Sequence, residues 1–356
     1  MGPLIRILVF SFSLLLMGCQ LPYYLKSAAG QFSLFSSRIP LEKALQDPKL
    51  TPEQKQKLNL AQEARQFAEK ELGLESSKNY TSYVALDRPY VTYVVSASPK
   101  WELKAYQWSY AIVGKMPYKG FFNEADAKAE EQKLVKEGFD TFVRGVSAFS
   151  TLGWFKDPIL SSMLRYEDHD LVNTIIHETT HVTLYLKNSA DFNERFATWL
   201  GNKGTEIFYL KKEGPDSSTL QKIKAELHDE RIFSEFISEE LKNLKAWYAI
   251  LPQAQRNESL RDGRIKEIQT RFKETILPKM KSQLYARFPE ISLNNARLSL
   301  YSTYNKDLHL FDEAFELADK DFRKFLDLMR SLESHKDPET GLKELIQTLK
   351  KTASTT

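Results

Sequence analysis

The sequence predicts an α+β protein that is mostly helical. A small mixed sheet comes first, then a buried helix carrying a chemical motif, then a helical C-terminal part. Three observations lead there. Between Tyr80 and Phe122, and again over 141–146, β-branched and aromatic residues gather in short runs broken by glycine. From Asp168 to Gly201 apolar residues recur at helical spacing. After Gly204, amphipathic segments follow one another at 205–213, 217–250, 258–287 and 306–333, with Pro, Gly or Asn between them. A chain of 356 residues with 42% hydrophobic content can build one large or two modest domains. Its 50 basic and 47 acidic residues nearly balance, so composition gives no reason to expect a nucleic-acid partner.

The chain opens with MGPLIRILVFSFSLLLMGCQ: one arginine, an apolar run, then Leu16-Met17-Gly18-Cys19. The run is short for a membrane span and fits a secretory signal over residues 1–18. Cys19 is the only cysteine and stands where a lipobox would place it, so the expectation is cleavage before Cys19 and lipid on its sulfur. The alternative is an uncleaved N-terminal anchor helix. With Cys19 taken, no disulfide framework can exist. Gln20, rather than an aspartate, follows the cysteine. By resemblance to the usual sorting rule for such signals, that favours the periplasmic face of the outer membrane over the inner membrane.

Residues 19–50 read as a tether turning into the first segment, and residues 51–204 as the core. Thr51, Pro52 and Gln54 give a helix start. Leu58, Leu60, Ala61, Ala64, Phe67, Ala68 and Leu72 make one apolar stripe over 51–74. Strands are expected at 90–95, 108–114 and 141–146, with a turn-rich stretch over 114–120 and a helix over 123–137 ended by Gly138. Residues 205–356 form the helical C-terminal region, packed on the core. Phe233, Phe236, Trp247, Tyr248, Phe315 and Phe322 fall at helical spacing and are expected in that core.

The chemistry centres on His177-Glu178-Thr179-Thr180-His181. Two histidines four apart lie on one helix face, where two neutral imidazoles can hold one Zn²⁺. Glu178 points beside the metal, where a general base takes a proton from the attacking water. Asp168 or Asp170 is expected to cap this helix, and Lys187-Asn188-Ser189-Ala190 to turn the chain into a return helix capped by Asp191. His181 then lies about 9 Å of helix before the turn and Glu194 about 4.5 Å after it, level within roughly one turn. Glu194 is therefore the expected third ligand, whereas Glu206 lies about 22 Å along. Two histidines and a glutamate leave a fourth position open for water, the mark of a catalytic site with one zinc per chain.

Several segments together resemble a known family. They are Tyr23-Tyr24 with Gly30-Gln31, Tyr80-Thr81 with 86–91, and Tyr118-Lys119-Gly120-Phe121-Phe122. They continue through 150–158 (STLGWFKDP), His177–His181, 192–197 (FNERFA), and Asn294-Asn295-Ala296-Arg297-Leu298 with Tyr304. Across nearly the whole mature chain, the sequence resembles the predicted aminopeptidase family of bacterial lipoproteins. That resemblance implies a zincin-like, gluzincin-like fold and a zinc metallopeptidase acting on peptides. Cysteines that often precede the YxGYF-like segment are absent here. Thr198 stands where related gluzincins often carry an aspartate, so outer support for one histidine must come from elsewhere.

In this reading zinc activates water, and Glu178 takes the water's proton and returns it to the leaving amine. Tyr304 is the candidate donor to the oxyanion, with His309 second. The stretch 149–153 is either a substrate-pairing edge strand or an ordinary sheet strand. Aminopeptidase and endopeptidase stay open, and Asp157, Glu167 and Asp191 are unranked candidates for holding a substrate ammonium. The reading from another class is a non-catalytic envelope lipoprotein with a structural or vestigial metal site. Replacing Cys19 with Ser is expected to abolish acylation and release the protein from membranes. Metabolic acyl labelling with membrane fractionation reads both effects, and an unchanged result removes the lipid anchor.

Overall fold

The computed structural model describes residues 21–75, 78–110, 114–148, 156–304 and 308–353. In chain order the elements begin with helix α1 (Leu21–Ser36), β1 (Ile39–Pro40), α2 (Leu41–Gln46), α3 (Pro52–Lys70), β2 (Ser82–Val84) and β3 (Thr92–Pro99). Then come β4 (Trp108–Tyr110), β5 (Gly114–Met116), β6 (Lys119–Phe121), α4 (Glu124–Lys136), β7 (Phe139–Val146) and β8 (Ile159–Leu160). The rest is helical: α5 (Asp168–Thr183), α6 (Ala190–Glu213), α7 (Ser218–Ile250), α8 (Glu258–Arg271), α9 (Asn295–Tyr304), α10 (His309–Leu317), α11 (Phe322–Ser331) and α12 (Pro338–Ala353). The α+β, mostly helical class is what the sequence led one to expect.

Helix α3 starts as its sequence dictates. The Thr51 hydroxyl accepts from the Gln54 amide and the Gln54 side chain accepts from the Thr51 amide, a reciprocal cap with Pro52 in the first turn. Every member of the predicted stripe, Leu58 to Leu72, is buried. The stripe packs against α5 within a large apolar cluster that also takes in Phe196, Trp199, Phe311, Phe315 and Phe325. Helix α6 closes on α5 along its length. A Cβ on Gly204 would stand 2.8 Å from Leu72 Cδ1 and 3.1 Å from Ile176 Cδ1, so a larger residue there would push those side-chain ends aside.

Strands are short and arranged in small sheets. Antiparallel β6-β3-β7 is the main one, with Val94 opposite both Gly120 and Arg144. A second set runs β1-β2-β8, with β2 parallel to β8, and β4 pairs with β5 as a hairpin.

Several boundaries differ from expectation. Residues 21–36 are helix rather than tether, because Gly30 lets α1 lie directly on the Phe122 ring. The expected turn over 114–120 instead pairs as strands β5 and β6. Segment 205–213 is the tail of continuous α6. The expected helix 258–287 stops as α-helix at Arg271, passes through a wider π-turn over Phe272–Ile276 and a 3-10 turn at Leu277–Lys279, and ends. Pro278 cannot donate to a helical carbonyl there. The buried Asp229 carboxylate then captures the amides of Lys281 (2.8 and 3.0 Å) and Ser282 (2.7 Å). Segment 306–333 is broken where Asp319 and Lys320 adopt φ of 58°, and Asp321 caps α11. Stretch 149–153 lies outside the described residues. The aromatics at helical spacing do sit in or against the core: Phe233 and Tyr248 in one cluster, Phe315 in another.

The NNARL segment joins the sheet to the C-terminal helices. Asn294 accepts from the Arg297 amide and donates to Thr141 O. Asn295, fully buried, donates to the carbonyls of Pro99 and Lys100 (3.0 Å each), accepts from Tyr248 Oη (2.9 Å), and gives its amide to Asp140 Oδ2 (3.0 Å). Asp140 in turn meets Arg261 Nη1 at 3.2 Å with both side chains 6% exposed. Replacing Asn295 with Ala strands a buried hydroxyl and several carbonyls, each costing about 1–3 kcal/mol. The expected loss is about 2–4 kcal/mol of stability, read by urea unfolding. A change within error removes the clasp from the account of the fold.

Candidate metal centre

The motif helix is held at its start from outside. Glu167 is the N-cap residue and its side chain makes no cap bond. Neither Asp168 nor Asp170 caps the helix as expected. Lys57 of α3 donates to Tyr166 O and pairs with Asp168 at 3.2 Å, fixing the first turn. The helix ends at Thr183, before the expected turn. The Thr179, Thr180 and Thr183 hydroxyls each bond back to the carbonyl four residues earlier, at 2.6, 2.9 and 2.8 Å. Leu184 is extended (φ −149°, ψ 121°), and the chain runs on with Leu184 and Leu186 buried and Tyr185 exposed. Asn193, buried in the first turn of α6, holds this link: it accepts from Leu186 N (2.9 Å) and donates to Leu186 O (2.8 Å). That closed pair of bonds sets how far α6 slides along α5. Asp191 is exposed and leaves the N-cap to Ser189.

Among the described residues, His177, His181 and Glu194 form a cluster with metal-ligand character. Nε2 of the two histidines lie 3.2 Å apart. His177 Nε2 is 3.6 Å from Glu194 Oε2, and His181 Nε2 is 3.6 Å from the other oxygen, Oε1. Tetrahedral zinc with ligand bonds of about 2.0–2.1 Å requires donors about 3.3–3.4 Å apart. Two imidazoles and a carboxylate at that mutual spacing fit the ion in number, type and size.

Electrostatics agree with that donor set. Burial lowers His181 to about 4, helped by the charge of His177, which leaves a neutral imidazole at ordinary pH. Burial also opposes charge on His177, but the Glu194 hydrogen bond and the charges of Glu178 and Glu194 outweigh it and raise this histidine. Desolvation works against the Glu194 carboxylate, yet His177, His181 and Arg144 hold it below the usual range. Glu178 keeps a partial opening to solvent. Desolvation still pushes its carboxyl up to about 7 against the pull of His177, with Glu194 and Asp157 adding to the rise. Such a carboxyl can both accept and return a proton near neutrality. His181 Nδ1 is buried without a hydrogen-bond partner among the described residues, so no outer carboxylate orients that ring there.

Sequence reasoning gave no role to several neighbours. Tyr80 is 2% exposed and held at φ 59°, unusual for a bulky residue. Its amide donates to Asp157 O at 2.7 Å, and burial with the charges of Glu178 and Asp157 raises its hydroxyl. The Tyr166 hydroxyl is raised by burial too, and Glu178 contributes. Arg144, exposed on β7, acts on Glu194. A tyrosine in the left-handed region has no local signature, whereas Asn193 sits beside Glu194 in a segment already singled out.

The other expected residues fall as follows. Asp157 is buried and its charge reaches Glu178. Glu167 is tied to Lys222 at the far end of α5. Glu206 pairs with Lys203 at 3.3 Å and, with His309, lines a cavity of about 640 Å³ that none of the three donors lines. Helix α9 ends at Tyr304, whose side chain lies outside the described residues, as does Cys19.

A family model described as "Putative aminopeptidase" matches residues 22–343, and the chain belongs to that family. Comparison with curated proteins and with solved structures returned no match. Family membership points to a peptidase acting on peptides.

Substituting Glu194 with Ala is expected to weaken zinc binding by more than the roughly 10–100-fold that loss of an outer partner costs. Glu206→Ala is expected to leave affinity unchanged. Zinc titration of both variants by competition with a chelating dye decides between them; the reverse pattern removes Glu194 from the donor set.

Proposed function

We propose that the protein is a zinc-dependent aminopeptidase of zincin-like build, held to the periplasmic face of the outer membrane by lipid on Cys19. The observation that carries the zinc reading is the 3.2–3.6 Å spacing of His177, His181 and Glu194, with Glu178 on the next residue of the same helix. The aminopeptidase reading rests on the family.

His177 Nε2, His181 Nε2 and one Glu194 oxygen would hold one zinc. When bound, zinc supplies Lewis acidity, polarising the scissile carbonyl and making water a nucleophile near neutral pH. Everything else falls to the protein. Glu178 takes a proton from the attacking water and delivers it to the leaving amine. Burial raises its affinity for that proton, opposed by His177 and reinforced by the charges of Glu194 and Asp157. Strand β7 brings a positive charge, the exposed Arg144, close enough to act on Glu194, where it favours an anionic group on substrate or transition state. Tyr304 is assigned the hydrogen bond to the developing oxyanion.

Replacing Glu178 with Gln keeps shape and removes the proton acceptor. Zinc stoichiometry is expected to stay at one while turnover falls about 10²–10⁴-fold. The assay is a peptide library with free and blocked N-termini, run on wild type and variant. Preference for free N-termini supports the aminopeptidase. Zinc bound with no turnover by the wild type on any peptide favours the non-catalytic envelope protein. Equal turnover in variant and wild type removes Glu178 from the mechanism.

A further inference from the structure

Helix α1 carries two apolar faces, and only one of them is covered. On the inner face, Tyr23 packs its ring 5.5 Å from Phe121 and 6.0 Å from Tyr110, Gly30 rests on Phe122, and Leu34 is 3% exposed. With Ser27 between Tyr23 and Gly30, those positions step by four, three and four residues. The same rhythm, displaced by two residues, gives Leu21, Leu25, Ala28 and Phe32. At about 100° per residue the two stripes stand roughly 160° apart, on opposite sides of the helix. The outer stripe faces water: Leu21 is 54% exposed, Leu25 62% and Phe32 74%, and Ala28 is exposed as well. Lys26 is the one charged residue among the sixteen, and it is turned aside to pair with Asp126 at 2.6 Å. A continuous apolar stripe left in solvent is costly and marks a contact surface.

We propose that this outer stripe lies in the interfacial layer of a bilayer, so that α1 rests parallel to the membrane with the rest of the protein stacked on its inner face. The occupant is argued from where the helix begins. Leu21 follows Cys19 by two residues, about 7 Å of extended chain, and lipid on Cys19 holds that end of the chain to the bilayer. The chain that reaches the membrane therefore delivers the first turn of α1 to its surface. The stripe continues from Leu21 to Phe32, about 16 Å of helix, so the whole face meets the surface rather than one end of it. No helix among the described residues is long and apolar enough to cross a membrane, and sixteen residues reach only about 24 Å. An apolar helix face at the surface adds its own burial to the hold of the lipid on Cys19 and fixes the orientation of the protein on the bilayer. The placement has a consequence for the fold: the β4–β5 hairpin, β6 and α4, which cover the inner face of α1, become the membrane-proximal layer.

This inference rests on the lipid-anchor reading, and one experiment separates them. The chain has one cysteine, so in acylated protein an introduced thiol is unique. Leu25→Cys and Phe32→Cys are made in the full chain, with Lys245→Cys on exposed α7 as the reference, and each is spin-labelled in membrane-bound protein. All three positions are exposed, so folding is expected to be unaffected. Collision rates with oxygen, which concentrates in lipid, and with a water-soluble nickel chelate are then measured. The expected result is that oxygen dominates at 25 and 32 and nickel dominates at 245. Nickel access at 25 and 32 equal to that at 245 overturns the proposal, and so does protection from both reagents, which would mean that protein covers the face. Mass spectrometry of the same material reads the lipid on Cys19. Should Cys19 be free, the labels are repeated on a Cys19→Ala background. Lipid depth at 25 and 32 then keeps the docking face while the lipid-anchor reading fails.

Discussion

The contact between α5 and α6 is the constraint on which the site depends. Three donors can meet one small cation only if two helices lie close and at a fixed axial offset. Closeness comes from Gly204, which brings α6 against Ile176 and Leu72, and from the buried faces around Ile175, Phe196 and Leu200. The offset comes from Asn193, whose two bonds to Leu186 close the link between the helices one residue before Glu194. Lys57 fixes the opposite end of α5. With both ends of the motif helix pinned and its partner helix in register, the Glu194 carboxylate is brought to both imidazoles at once.

This arrangement gathers polar groups that would be unfavourable in an ordinary core. Two imidazole nitrogens face each other at 3.2 Å, and Glu178, Glu194 and Asp157 crowd nearby. Their mutual effects run in opposite directions: Glu194 is held ionised by the histidines, while Glu178, more deeply desolvated, is pushed up. Two carboxyls close together with divergent proton affinities can divide labour, one holding a cation and the other moving a proton. Tyr80, held at positive φ behind Glu178, adds local backbone strain that the surrounding bonds to Asp157 and Gln62 sustain.

The helical C-terminal part is woven into the N-terminal sheet rather than appended to it. Asn295, Asp140 and Arg261 join α9, β7 and α8 through buried, mutually satisfied polar groups. Arg195, one residue past Glu194, is tied to Glu339 at the start of α12. Trp199 of α6 donates to Asp312 of α10 at 2.9 Å. Elements distant in the chain thus brace the helix that carries Glu194, which is where one expects rigidity if the donor spacing is to be kept.

The sequence by itself determined what is local. Spacing of four put His177 and His181 on one helix face, the Thr51–Gln54 pair marked the start of α3, and period-3.6 apolar stripes picked out the buried faces of α3, α5 and α7. These follow from bonds and side-chain contacts within one or two turns. Glu194 was legible because a short link between antiparallel helices restricts the offset whatever its details. The tertiary structure decided what depends on distant partners. Helix α5 stops at Thr183 because Asn193 captures Leu186; the helix predicted over 258–287 breaks because Asp229, far back on α7, takes the amides that follow Pro278; and α1 is helix rather than tether because Phe122 receives Gly30. In the first two cases a side chain remote in sequence offers the backbone a better partner than its own next turn does, in the third a remote ring gives the helix a surface to pack on, and no local pattern records either.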